Sequence, residues 1–508
     1  MYLEGILMSR FRFLCLFGIL FNSVVQSNEI QSWNAIAEQS PFLTGSRTIF
    51  IHDFSRSFDK VGGIDSGVRT LIAEIWYPVD RGDISISGND YRRATYGDYV
   101  FGNQNVHRLM MTKTTFFHLV PNSVREGINQ SMINEAIAEL FFRERESFYN
   151  APLSKDENTH PVILMSHGDA GSRYNMESVC EFLAAHGYVV VAPEHTGNTP
   201  YSMIGADPDL NPVNGNSMLR ARMQDVLSLL DINGVYGEVE KFGQSYSPLS
   251  ENADSLQAMI KLDQSLLERV NDLRITLDKL GEMQTSGLFE GRLDLSRIGL
   301  MGRSFGAVTT LVGLALEDRF AAGMAVAGLD VSLDQPKPSS YSKDSETAIF
   351  TDLNESPFYK FRKPTFLLNA ADDALIISVS RQRSLLRNQI SPSKLDPHPG
   401  LRQAYERSSS PAVWGMLPNA NHASFGVSGS YWWPELKPEI VLRPFSNEPF
   451  KLISPKHAHK IQRETALAFF NLTLRGESQA RDFLLSEPYT DQDFVLKARH
   501  LNMLTNDD

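Results

Sequence analysis

A serine flanked by glycine two positions before and two after, Gly302-Arg303-Ser304-Phe305-Gly306, is the arrangement in this sequence best suited to covalent chemistry. A serine hydroxyl is a weak nucleophile at neutral pH, so it needs a base within hydrogen-bond reach and a carboxylate to orient that base. The histidines that follow it are His398, His422, His457, His459 and His500. His422 stands out, because Leu417-Pro418-Asn419-Ala420-Asn421-His422 places it in a loop just past an apolar run suited to a strand. Two carboxylate positions also follow strand-like runs: Asp330, after Ala327-Gly328-Leu329, and the pair Asp372-Asp373, after Asn369-Ala370-Ala371. A tetrahedral oxyanion would need two backbone N–H donors. Phe305, the residue after the serine, offers one, and the glycine-rich turn Ser166-His167-Gly168-Asp169-Ala170-Gly171-Ser172 offers the other through Asp169.

Strands must deliver these residues to one edge. Arg297-Ile298-Gly299-Leu300-Met301 reads as a buried strand entering the serine turn, and Ala307 to Leu316 as the apolar helix leaving it. Pro161 to Ser166 and Tyr188 to Pro193 are further buried strands, separated by a helix from Met176 to His186 that stops at Gly187. Arg69 to Pro78, Ala321 to Leu329, Pro364 to Leu368 and Ala412 to Leu417 complete the strand set, with Ala412 to Leu417 the last. Strand and helix signals alternate, the pattern of an α/β fold with a mainly parallel sheet flanked by helices. Two amphipathic helices, opening near Arg222 and Arg269, fall between the strand at Tyr188 and the serine turn. Insertions are expected at about 80–158, containing a helix from Ser131 to Arg145, and at 233–255. In an α/β-hydrolase, chain order runs serine, acid, histidine, and the common topology leans to Asp373 as the acid.

Composition narrows the partners. The 508 residues carry a formal charge of −12 with no basic cluster, which argues against nucleic acid. Arg10 and Arg12 precede the apolar run Phe13 to Phe21, too short to span a bilayer comfortably, so residues 1–27 are expected to be a signal peptide and 28–508 a single secreted or periplasmic catalytic domain. With only Cys15 and Cys180, the mature chain is expected to have no internal disulfide. His457 and His459 lack the carboxylate or cysteine company of a metal site and are expected to be solvated, so neither metal nor organic cofactor is expected. Tyr431-Trp432-Trp433 is an aromatic run whose expected role is local packing, with transient contact to a lipid surface as the alternative.

The sequence resembles the type II platelet-activating factor acetylhydrolases and their dienelactone-hydrolase-like relatives. The resemblance is carried by Ile75-Trp76-Tyr77-Pro78, Ser166-His167-Gly168, His186 to Val191 with Glu194-His195, Gly302 to Gly306, Asp318-Arg319-Phe320 leading to Gly328-Leu329-Asp330, and His422 with Phe425. It implies a serine esterase acting on small-molecule or lipid esters, with Ser304 as nucleophile, His422 as base and Asp330, in place of Asp373, as acid. The family pattern has histidine where Arg303 stands and an apolar residue where Asp169 stands. A carboxylate there would repel an oxyanion unless its side chain turned away. Other carboxylesterases, polyester hydrolases and peptidases share such a fold, and a non-catalytic binding module on it would have lost the serine or the histidine.

Overall fold

The structure is a computed structural model that describes residues 40–86, 91–100, 104–119, 129–156, 159–201, 204–229, 256–328, 363–387, 390–429, 431–436, 440–485, 489 and 494–504. The segment 1–27 expected to be a signal peptide, the insertion expected at 233–255 and Asp330 lie outside these residues.

Six strands form a parallel centre: β5 (His160–Ser166), β6 (Val189–Pro193), β7 (Leu293–Arg303), β8 (Phe320–Val326), β9 (Thr365–Ala370) and β10 (Ala412–Leu417). They lie in the order β6-β5-β7-β8-β9-β10. Antiparallel strands extend both sides. β2 (Arg69–Val79) joins β6 and carries β1 (Leu43–Asp53), while β13 (Val495–Arg499) joins β10. The strands expected from the sequence are present, and Ala412–Leu417 is the last of the parallel set. Three more follow it: β13, and the small hairpin of β11 (Ile440–Leu442) and β12 (Pro449–Lys451). These stretches are too short to show the longer apolar run that marks a central strand, and they lie at a sheet edge or in a separate ribbon.

The centre of the sheet is apolar on both faces because helices cover both. Val162 and Leu164 of β5 pack with Leu273, Leu277 and Leu280 of the helix Leu256–Met283. Ile163 and Met165, pointing the other way, pack with Val179 and Leu183 of the helix Glu177–Ala184 and with Phe470 of the helix Pro455–Arg475. That strict alternation is the period-two pleat.

The region expected as an insertion at 80–158 is partly sheet. The helix expected from Ser131 to Arg145 runs Gln130–Leu140 and gives way to β4 (Glu144–Tyr149), which pairs in parallel with β1 and carries the short β3 (Arg93–Thr95). The helix Gln104–Leu119 packs beside Gln130–Leu140 over the aromatic side chains Tyr174, Trp432 and Trp433.

Register then sets the site. Ser166 lies opposite Gly302, Arg303 opposite Val326, and Ala370 opposite Leu417. The turns after β5, β7, β9 and β10 therefore open on the same edge, with His167 to Gly171, Ser304, Asp373 and His422 in them.

Candidate active site

At Ser304 the chain turns from β7 into the helix Phe305–Leu316 with φ 58° and ψ −120°, a region that non-glycine residues rarely occupy. The flanking glycines are demanded by contact. A Cβ on Gly302 would sit 2.1 Å from the Gly306 carbonyl oxygen, and one on Gly306 would sit 1.9 Å from the Ser166 carbonyl oxygen. The strained turn is fixed by the Ser304 N–H, which donates to Val326 O at 2.8 Å. It lifts the serine side chain to the sheet edge, where Ser304 is 7% exposed.

His422 opens a short 3-10 turn just beyond β10, with Asn421 and Ser424 exchanging hydrogen bonds as its cap. Its Nδ1 meets Asp373 Oδ2 at 2.8 Å. Asp373 is fully buried, and its other carboxylate oxygen accepts from the Ile376 N–H at 3.1 Å at the start of the helix Ala374–Arg387. Burial alone would raise its pKa, but His422 and that backbone donor outweigh it and hold the carboxyl below its usual range. The two loops are also bound to each other. Asp372 N–H donates to Ala420 O at 3.0 Å, and Arg443 spans Asp372 Oδ2, at 2.7 Å, and Asn419 Oδ1, at 2.8 Å.

Among the described residues the carboxylate at His422 is that of Asp373, where the family resemblance implied Asp330. Asp330 lies outside the described residues, while the Nδ1 of His422 is taken by Asp373, from the loop that neighbours it across the β9–β10 pair. The general topology pointed there, and sheet register explains why: β9 and β10 end side by side, so their loops are within one hydrogen bond of each other.

Arg303, unexplained in the sequence, connects the serine turn to the histidine loop. Its Nη2 donates to the His422 carbonyl at 2.6 Å and its Nη1 to Asn175 Oδ1 at 3.1 Å. Burial lowers its pKa to about 10, against an opposing pull from Asp373. Gly426 leaves room for it, since a Cβ there would lie 3.2 Å from the guanidinium carbon.

The turn after β5 lies directly against Ser304. A Cβ on Gly168 would be 3.1 Å from Ser304 Cβ and 3.6 Å from its Oγ. His167 staples this turn: its Nε2 accepts from the His195 N–H at 3.0 Å, leaving Nδ1 to donate to Gly168 O at 2.7 Å. Burial, with Arg269 nearby, pushes its pKa well below the ordinary value, which suits that neutral tautomer. The carboxylate of Asp169 accepts from Asn198 Nδ2 at 2.7 Å.

A second Ser-His-Asp row lies behind the turn. Ser166 Oγ is 2.9 Å from His195 Nε2, and His195 Nδ1 is 3.0 Å from Asp272 Oδ2. All three side chains are wholly buried, and Arg69 grips Asp272 through Nε at 2.9 Å and Nη2 at 2.6 Å. No spacing in the sequence announces this cluster, because Asp272 comes from a helix more than seventy positions beyond His195.

Trp432 and Trp433 are core residues, their indole N–H groups donating to Glu177 Oε2 at 3.2 Å and Ala136 O at 3.3 Å, in line with the local packing expected of this run. His459 is buried against Ser178 and Tyr431 instead of solvated. Cys180 is a buried free thiol. Among the described residues no helix is long and apolar enough to cross a membrane.

Comparison with known proteins finds partial similarity. A family model described as platelet-activating factor acetylhydrolase, isoform II, matches residues 123–343, a range that holds Ser304 and the Gly168 turn and ends before Asp373 and His422. The platelet-activating factor acetylhydrolase of Cavia porcellus is 25% identical over 197 residues, covering 37% of this chain and 41% of that protein. Its counterpart from Canis lupus familiaris is 24% identical over 212 residues, covering 41% and 43%. The matched part of the chain thus spans about two fifths of the length of these relatives. A solved ferulic acid esterase from Streptomyces cinnamoneus superposes with a TM-score of 0.47 at 18% identity, covering 86% of this chain and 92% of that one.

Proposed function

We propose, for a chain that belongs to the α/β-hydrolases of platelet-activating factor acetylhydrolase type, that it hydrolyses carboxylic esters through Ser304, His422 and Asp373. The observation that carries this reading is the His422–Asp373 pair, 2.8 Å apart at the sheet edge where the strained serine turn opens. With Nδ1 committed to Asp373, the Nε2 of His422 is the nitrogen left to serve the serine.

His422 takes the hydroxyl proton as Ser304 Oγ attacks the ester carbonyl, and the oxygen that becomes negative is received by the amides of Phe305 and Asp169. As the first residue of its helix, Phe305 has an N–H with no intrahelical carbonyl to meet, so it is available to an anion. Collapse of the intermediate passes the proton from His422 to the departing alcohol and leaves the acyl group on Ser304. Water, deprotonated by the same histidine, releases the acid. Asp169 fits this role because its carboxylate is drawn to Asn198, which answers the repulsion expected from its sequence.

The resemblance supports short-acyl lipid or phospholipid esters as the substrate class, and the leader-like segment at 1–27 supports export. A fluorophosphonate probe tests the chemistry: it is expected to label the wild-type protein once per chain and to leave Ser304→Ala unlabelled and inactive on p-nitrophenyl acetate. Labelling that survives Ser304→Ala would place the nucleophile elsewhere. Varying acyl length at a fixed leaving group then tests the substrate class, with turnover falling beyond short chains as the expected result.

A further inference from the structure

Arg269 is wholly buried on the helix Leu256–Met283, remote in sequence from every residue of the proposed mechanism. Its guanidinium nevertheless contacts both the turn after β5 and the start of the helix after Ser304, the two segments that carry the proposed oxyanion donors. Toward the turn after β5, Nη2 donates to His167 O and, at 3.1 Å, to Ser166 Oγ, and Nη1 donates to Asn198 Oδ1. Asn198 passes the contact on to the Asp169 carboxylate at 2.7 Å. Toward the serine turn, Nε donates to Thr309 Oγ1 at 2.9 Å, and Thr309 in turn donates to Phe305 O at 3.0 Å. The guanidinium carbon also lies 4.8 Å from the centre of the Phe305 ring.

We propose that Arg269 is a positioning residue that sets the separation of the Phe305 and Asp169 amides. The inference rests on the assignment of those amides to the oxyanion hole. An oxyanion hole works by holding its donors in place before charge develops, and misplacing one of them loses most of its effect. Two donors on separate loops need a rigid spacer between them. A planar guanidinium with five N–H groups in a fixed fork supplies that, whereas a flexible ammonium does not. Stability is a poor reason for the arrangement, since burying an ionic group seldom gains more than a well-packed apolar side chain would. The charge is balanced from both directions: by Asp169 through Asn198, and by Asp272 through His195 and Ser166.

The test compares turnover of p-nitrophenyl acetate with inhibition by a short alkyl trifluoromethyl ketone. Ser304 Oγ adds to the ketone carbon, its proton passes to His422, and the carbonyl oxygen becomes an oxyanion, so the inhibition constant reads the hole directly. Arg269→Met is expected to lower kcat about a hundredfold, with KM within about threefold, and to weaken the ketone by a similar factor. Asn198→Ala, which cuts only the link to Asp169, is expected to do the same by about tenfold, and it carries the test if Arg269→Met does not fold. A lowered melting temperature with kcat and ketone affinity both within about twofold of wild type would make the network purely structural and overturn the proposal. That result beside an inactive Ser304→Ala sinks the role of Arg269 alone, whereas an active Ser304→Ala sinks the underlying assignment with it.

Discussion

Two sets of serine, histidine and aspartate occur in this molecule, and their histidine–carboxylate hydrogen bonds are nearly alike. His422 Nδ1 meets Asp373 at 2.8 Å, and His195 Nδ1 meets Asp272 at 3.0 Å. What differs is the serine and its surroundings. Ser304 sits at a strained turn at the sheet edge, beside a glycine turn that approaches its side chain. Ser166 is the last residue of β5, wholly buried, its hydroxyl donating to His195 and accepting from Arg269. In the buried row the hydrogen-bonding capacity is used up internally, which makes it a support for the turn. Residue identity and histidine–carboxylate distance are therefore insufficient to mark a nucleophile. Backbone strain and a place at the open sheet edge separate Ser304 from Ser166.

Replacing each serine is the sharpest way to break the comparison. Ser304→Ala is expected to lower kcat by about 10⁴-fold or more at unchanged melting temperature. Ser166→Ala is expected instead to cost about 1–3 kcal/mol of stability, since it strands a buried histidine nitrogen and an arginine N–H, while a fluorophosphonate still reaches full labelling of Ser304. Denaturant melts and labelling stoichiometry check the two together, and loss of labelling in Ser166→Ala would mean that the buried row takes part in the chemistry.

The aspartates come next. Asp373→Asn is expected to lower kcat by about 10⁴-fold, because an amide would favour the wrong histidine tautomer, and Asp330→Asn to leave turnover near wild type. The opposite pattern, measured on p-nitrophenyl acetate, would return the acid to Asp330. Asp272→Asn acts on stability, with an expected loss of about 3–5 kcal/mol, because it leaves the buried Arg69 guanidinium without its carboxylate.

Most of this was legible in the sequence, for reasons that differ by element. The parallel strands announced themselves because strands covered by helices on both faces are continuous apolar runs, as in Val189 to Ala192. The outlying strands β1 and β4 did not, since their polar and charged residues, as in Glu144 to Tyr149, fit a helix end or a loop equally well. Ser304, His422 and the Gly168 turn were legible because each follows a recognisable strand. The choice between Asp330 and Asp373 depended on which loop lies beside His422, and that is set by the β9–β10 register, a long-range fact with no local signature. Arg269 and Asn198 were invisible for the same reason: each matters only through partners brought near by the fold.

Acidification distinguishes the two sets more gently. Burial and the nearby Arg269 lower the pKa of His195 from 6.5 to about 3, so between those values the unfolded chain binds the proton and the folded chain does not. The sign follows: stability is full above about 6.5 and declines as pH falls toward 3. Asp272 and Asp373 are both held below the ordinary carboxyl value, so their contributions persist above the unfolded pKa and are lost only as pH drops through the lower folded ones. His195→Gln is expected to reduce the slope of unfolding free energy against pH in that upper window by up to about one proton. Urea melts at several pH values measure this, and an unchanged slope would show that His195 carries a proton in the folded state.

Arg303 tests the smallest difference, the link that the open set has and the buried set lacks. Its guanidinium ties the residue before Ser304 to the carbonyl of His422, which gives it a hold on where His422 sits. Hydrogen bonds from a charged donor contribute about 1.5–3 kcal/mol, and only the part of that energy that aims the imidazole should reach the rate. Arg303→Met is accordingly expected to lower kcat about tenfold with KM nearly constant, and Arg303→Lys to recover part of the loss, because an ammonium can reach one of the two acceptors but not both. A fall in melting temperature with kcat unchanged would reduce Arg303 to packing. Equal losses in Arg303→Met and Arg303→Lys would show instead that the fork joining Asn175 to His422 is what holds the histidine in place.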